Sequence, residues 1–131
     1  MYLLDTNIWL ERLLDQEKSN EVRQFLDYFP SEHLCITDFS LHSIAIILSR
    51  LKRLERLKEL VDDLFQHGAV ALIRLDPGDL HYLIGIIGRY QLDFDDAYQY
   101  VAAEKHNLTI VSFDTDFDRT ELGRKAPAEL L

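Results

Sequence analysis

Residues 92–118 read Leu-Asp-Phe-Asp-Asp-Ala-Tyr-Gln-Tyr-Val-Ala-Ala-Glu-Lys-His-Asn-Leu-Thr-Ile-Val-Ser-Phe-Asp-Thr-Asp-Phe-Asp, and this stretch decides the fold. It opens with acids suited to a helix start (Asp93, Asp95, Asp96) and continues through residues able to pack on a sheet (Ala97, Val101, Ala102). It ends in an apolar strand, 109–113, that empties into Asp114, Asp116 and Asp118. In a parallel α/β sheet, a helix leading into a strand begins at the edge where the strands end, so Asp96 and Asp114 should share that edge. The first residues add a third group: Met1 to Leu4 is a short apolar strand closing on Asp5, followed by Thr6 and Asn7. If this strand lies beside 109–113, then Asp5, Asp96 and Asp114 form one metal site. Clefts at the carboxyl ends of parallel strands are where open α/β folds hold their ligands.

Two further strand-like runs, 33–37 and 69–75, alternate with stretches of helical period. Apolar residues fall three and four apart at Ile8 to Leu14, Val22 to Phe29, Leu41 to Leu51 and Leu54 to Phe65, and an apolar run carries Leu80 to Tyr90. Thr6 or Asn7 is expected to cap the first helix, Thr37 or Asp38 the helix after the second strand, and Pro30 and Gly68 to end the helices before them. Two helices joined near Lys52 carry a leucine stripe suited to core or to a dimer seam. Gly85 and Gly88 each lower helix propensity by about 1 kcal/mol, which points to close backbone packing there. Beyond Thr120 the chain offers a short edge strand after Pro127. The alternation gives a parallel sheet with helices on both faces, in a single domain spanning 1–131.

Hydrophobic content of 47% and charged content of 28% are those of an ordinary globule. No basic leader precedes the first strand and no apolar run approaches the ~18 residues of a membrane span, so a cytoplasmic protein with no membrane partner is expected. Cys35 is solitary within an apolar run and reads as a small buried hydrophobe. A net charge of −9 argues against indiscriminate nucleic-acid binding, which rests on Lys and Arg. The excess is local, however: seven of the 23 acids lie between Asp93 and Asp118, where bound cations would offset them. Five of the 14 basic residues fall at Arg50, Lys52, Arg53, Arg56 and Lys58. A basic face beside an acidic metal pocket suits a phosphodiester, while the same run, with Glu55 and Glu59, also fits a solvated helix face.

Each acid has a structural alternative. Asp93 and Asp96 have the spacing of a helix cap and its partner, and acids are favoured in any first turn. Turn chemistry competes for Asp114 and Asp116, with Asp114 the stronger candidate ligand, and accounts for Asp76, Asp79 and Asp118. Asp95 is expected to be solvated or to stand behind the ligands. Asp5 closes a buried strand, so if buried it must be paired or metal-bound.

Leu-Leu-Asp-Thr-Asn at 3–7, Asp-Asp-Ala at 95–97 followed by Val-Ala-Ala at 101–103, and Val-Ser-Phe-Asp-Thr-Asp-Phe at 111–117 together resemble the PIN-domain nucleases, in particular the small VapC-type toxins. The resemblance runs in order through nearly the whole chain. It implies a three-layer α/β/α sandwich with a mostly parallel sheet, Mg²⁺ or Mn²⁺ held by acidic side chains, and metal-dependent cleavage of RNA by a homodimer restrained by an antitoxin. Carried over residue by residue, Asp5, Asp96 and Asp114 match the metal-binding acids, and Asp116 a further catalytic position that is often acidic or polar. One acid is replaced: the Glu expected six residues after Thr37 falls on Ser43. Asp38 lies five residues away, about 140° off that face, and His42 about 100° off, where it reads as a packed core residue.

Under this resemblance Asn7 or Ser112 would orient the acids, Ser43 would hold a water, and Arg50, Lys52 and Arg53 would meet the substrate. A different class of reading is a PIN-like module that binds RNA or protein without turnover, its site weakened by Ser43. Phosphatase-like chemistry with Asp5 as nucleophile is a third, disfavoured because such enzymes want a second Asp where this chain has Asn7.

Overall fold

The computed structural model describes residues 1–131 and contains four short parallel strands and six α-helices. In chain order they are β1 (Tyr2–Leu4), α1 (Thr6–Leu13), α2 (Ser19–Tyr28), β2 (Leu34–Thr37), α3 (Asp38–Arg50), α4 (Leu54–Val61), β3 (Ala71–Ile73), α5 (Asp79–Tyr90), α6 (Phe94–His106) and β4 (Thr109–Val111). The sheet order is β3-β2-β1-β4, with every pair parallel. In register, Leu4 faces Val111 and Leu3 faces Cys35 on one side and Ile110 on the other. β1 and β4, the first and last strands in sequence, are therefore neighbours, as the acidic site requires.

Successive strand residues point to opposite faces, and the core divides accordingly. Leu3, Cys35 and Ile110 pack with Leu83, Ile86, Ala97, Val101 and Phe117 under α5 and α6. Leu4, Ile36 and Val111 pack with Ile8, Trp9, Val22, Phe25, Ile44, Leu48 and Leu60 under α1 to α4. Both faces are covered, which is why the strands read as continuous apolar runs instead of alternating. The result is the expected three-layer α/β/α sandwich. The leucine stripe of α3 and α4 is mainly core: Ile44, Leu48, Leu60 and Leu64 are buried, while Leu51 and Leu54 at the connection are exposed. Lys52 takes the left-handed conformation (φ 58°) that turns the chain between the two helices. β3 is the outer strand, with Ala71 and Leu72 exposed and Arg74 following at once.

Several local expectations are corrected. The first helix is capped by Asp5 itself, which accepts the Thr6 N–H at 2.8 Å, and neither Thr6 nor Asn7 serves. Thr37 caps α3 through the Ser40 N–H at 3.0 Å, as one of the two candidates. The segment Pro127–Leu130 is a 3₁₀ turn rather than a strand; the extra sheet contact precedes it, at Lys125 beside Val111. The last helix before the third strand ends in a π turn at Asp62–Gln66, followed by Gly68. A Cβ at Gly68 would stand 2.5 Å from the Asp63 carbonyl oxygen, so backbone approach requires glycine there. Gly85 and Gly88 have no such reason: nothing lies within 4 Å of a Cβ at either, and both are exposed.

The two kinds of glycine respond oppositely to alanine. Gly85→Ala should raise stability by about 0.5–1 kcal/mol through helix propensity and a less flexible unfolded chain. Gly68→Ala should lower it, because the Cβ meets fixed backbone. Chemical denaturation of both variants measures the two signs.

Candidate metal centre

The carboxyl ends of β1, β2 and β4 open into a cleft of about 450 Å³ lined by Asp5, Thr6, Asn7, Ser43, Asp95, Asp96 and Asp114, with Leu10, Phe39, Ile46 and Ile47 as its apolar wall. Each acid arrives by a different route. Asp5 is the first residue past β1; its N–H still bonds the Val111 carbonyl at 2.9 Å, so the sheet ladder fixes its place. Asp96 sits in the first turn of α6. Asp93 occupies the cap position by backbone conformation, but no side-chain bond caps the helix, so the expected capping spacing does not consume Asp96. Asp114 follows β4 and accepts the Asp116 N–H at 2.8 Å, which starts the 3₁₀ turn Thr115–Arg119. Turn chemistry and membership of the acidic group therefore coexist in Asp114.

One oxygen from each of Asp96, Asp114 and Asp116 lies within 4.8 Å of the others. Asp5 lines the same cleft but stands outside this closest set. It is nearly buried, at 7% exposure, and its oxygens are supplied with donors: Thr6 N–H and Gln99 Nε2 (3.0 Å) on Oδ1, and Ser112 Oγ (2.7 Å) and Asn7 Nδ2 (3.4 Å) on Oδ2. Asn7 also accepts the Phe113 N–H and donates to Ser112, so Asn7 and Ser112 do orient an acid.

Gln99 was not singled out from the sequence, and it is central. Its amide donates to Asp5 and to Ser40 Oγ (2.6 Å) while its oxygen accepts the Thr37 hydroxyl at 2.8 Å. Thr6 and Ser40 exchange a further hydroxyl bond. The one available signal was an amide within the wholly buried run Ala97–Ala103 of α6, where an uncompensated polar group would be costly. Arg119 was missed as well. Its guanidinium reaches Asp116 Oδ1 at 3.0 Å and the Tyr90 and Gln91 carbonyl oxygens, tying the acid to the end of α5.

Among the remaining candidates, Ser43 sits on the cleft wall, on the face where the sequence pattern wants a carboxylate. Asp38 points elsewhere, accepting the Tyr98 hydroxyl at 2.7 Å. His42 is exposed, not packed in the core as expected. Arg50, Lys52 and Arg53 are exposed and form no ion pair; twelve residues separate Asp38 from Arg50, about 18 Å of helix, so they lie well away from the acids. Asp79 and Asp76 hold a turn with Lys105, and Asp118 pairs with Arg124.

Burial and crowded like charges together set the electrostatics. Burial, then the charges of Asp114 and Asp5, push the Asp96 carboxyl up to about 7, with Asp95 adding to the effect. Burial raises Asp5 as well, against the lowering effect of its hydrogen bonds to Gln99, Ser112 and Thr6. Only Asp116 has a side-chain cation, Arg119, as relief. Several hard oxygen donors converging without matching positive charge fit a divalent ion such as Mg²⁺ or Mn²⁺.

A carboxyl whose pKa is higher folded than unfolded stabilises the protein below its unfolded value and loses that contribution as pH rises through the folded one. For Asp96 that window runs from 3.8 to about 7. In EDTA, the melting temperature should therefore fall between pH 4 and pH 8, and Asp96→Asn should flatten the fall. Thermal melts across that range, with and without Mn²⁺, test this; Mn²⁺ should remove most of the high-pH loss.

The profile of the PIN domain matches residues 2–122 of the chain. No curated protein matches it significantly in sequence. Among solved structures, a toxin-antitoxin complex from Klebsiella pneumoniae is 20% identical, with 97% of this chain and 98% of that one covered and a TM-score of 0.77. FitAcB from Neisseria gonorrhoeae is 21% identical over 98% and 99%, with a TM-score of 0.76. VapC20 of Mycobacterium tuberculosis, described as a sarcin-ricin loop cleaving toxin, is 13% identical over 93% and 96%, with a TM-score of 0.79. At these identities the solved structures establish the shared fold, and the profile match over 2–122 establishes the family: the chain belongs to the PIN-domain family.

Proposed function

We propose that this protein is a divalent-metal-dependent endoribonuclease and the toxin of a toxin-antitoxin pair, acting in the cytoplasm. The observation that carries the reading is the convergence of Asp96, Asp114 and Asp116 within 4.8 Å, the first two of them lining the cleft that Asp5 also lines. Family membership supports a nuclease, and structures of the same fold described as a toxin-antitoxin complex and as a sarcin-ricin loop cleaving toxin support the toxin reading.

Asp5, Asp96 and Asp114 would hold Mg²⁺ or Mn²⁺, with Asp116 assisting. Such an ion, when bound, lowers the pKa of a water and offsets phosphate charge. The protein's own contribution is placement. Gln99 and Ser112 hold Asp5 in one orientation, so the carboxylate needs no rearrangement when charge arrives. Ser43 offers a hydroxyl to a water at the wall. The unpaired Arg50, Lys52 and Arg53 would engage phosphates distant from the cut. An antitoxin partner and a homodimer complete the proposal; exposed Ile46, Leu72 and Ile84 supply apolar surface for such contacts.

The position of Ser43 favours a second reading, a weakened or non-catalytic binding module, because a neutral group stands where a fourth carboxylate would face the acids. Incubating the purified protein with a mixed RNA pool in Mn²⁺, Mg²⁺ or EDTA separates the two. Cleavage in Mn²⁺ or Mg²⁺, abolished by EDTA and reduced at least ~100-fold by Asp96→Asn, is expected. RNA bound but left intact by the wild type, with cleavage gained on Ser43→Glu, would establish the second reading.

A further inference from the structure

Beside the acidic cleft lies a second cavity of about 350 Å³, lined by Asp38, Phe39, His42, Leu75, Asp76, Pro77, Leu80, Phe94 and Tyr98. Phe39 lines both, so the two spaces are adjacent. Three aromatic rings cluster here, Phe39 with Tyr98 at 5.4 Å, Phe39 with Phe94 at 6.0 Å and Phe94 with Tyr98 at 6.2 Å between centroids. Phe94, immediately before the acidic pair Asp95 and Asp96, leaves 47% of its surface exposed at the cavity wall.

The polar groups are arranged unevenly. Asp38 Oδ1 is occupied by the Phe39 N–H (2.8 Å) and the Tyr98 hydroxyl (2.7 Å), and the Leu75 N–H locks that hydroxyl at 3.0 Å. Asp38 Oδ2 carries no hydrogen bond, no cation pairs with Asp38, and the exposed His42 ring is likewise uncommitted. Asp76 also lines the cavity, but its carboxylate is paired with Lys105 at 3.7 Å, which leaves Asp38 Oδ2 as the free acceptor. Aromatic faces take nucleobases, while the free Asp38 oxygen accepts amino and imino hydrogens.

We infer that this cavity holds one unpaired base of an RNA whose backbone lies in the acidic cleft, and that it selects guanine. Guanine presents an N1–H and an N2 amino group side by side for Asp38 Oδ2, with O6 as an acceptor for a His42 N–H. Uracil offers a single imino hydrogen and no amine. Phe94 supplies the stacking surface, and Asp38, fixed by Tyr98, reads the edge. The inference rests on the ribonuclease reading for its substrate.

The test uses short single-stranded RNAs that differ only in one central base, G, A, C or U. Affinity is read by fluorescence anisotropy in Ca²⁺, and cut positions are mapped separately in Mn²⁺. The G-containing RNA should bind about tenfold more tightly than the U-containing one, and cuts should fall next to G. Phe94→Ala should weaken binding about tenfold through lost stacking. Asp38→Asn should erase the preference for G with little change in the affinity for U. Equal affinity for G and U, no RNA binding at all, or a G preference that survives both substitutions overturns the inference. Cleavage without base preference removes the pocket's role and leaves the nuclease reading intact; G-selective binding without cleavage in any metal does the reverse.

Discussion

A carboxylate at the end of an interior strand must be supplied with donors, and Asp5 is the point on which this molecule turns. An uncompensated charge at that depth would cost several kcal/mol. Its donors come from three separate segments: α1 through Thr6 and Asn7, α6 through Gln99, and the end of β4 through Ser112; Gln99 in turn bonds Thr37 of β2 and Ser40 of α3. The network thus joins both helical layers across the strand ends. It also gives the cleft one rigid wall, against which the more exposed acids Asp96, Asp114 and Asp116 are gathered.

The acids themselves are held together at a cost. Burial, and then the neighbouring like charges, push the Asp96 carboxyl up to about 7. Such strain persists because stronger constraints surround it: Asp96 rides on a helix buried along Ala97–Ala103, and Asp114 is fixed by the turn that it caps. Burial and turn formation set the positions, and electrostatics follows from them.

Much of this was legible in the sequence because it is local. The strand ending at Asp5, the helix beginning near Asp96 and the strand leading to Asp114 are each marked by hydrophobic period and by adjacent polar residues, and parallel topology places their ends together. What depends on partners distant along the chain was not. Gln99 reaches Asp5 across 94 positions, and no spacing announces it. The grip of Arg119 on the α5 carbonyls is equally silent. Gly85 and Gly88 misled in the other direction, since a rule about close packing was applied to an exposed helix face. Pro127 marked a turn correctly, but the sheet contact fell two residues before it, at Lys125.

The sheet also stops deliberately. Its outer strand, Ala71–Ile73, carries the half-exposed Leu72 on an unpaired border, the kind of surface that can template addition of foreign strands. Only three residues long, bounded by the charge of Arg74 and soon by Pro77, it presents too few amide and carbonyl groups in line to seed a growing ribbon. Leu72 and Ile84 thus offer side-chain surface without a long run of free backbone groups beside it, the arrangement that disfavours irreversible strand-by-strand stacking.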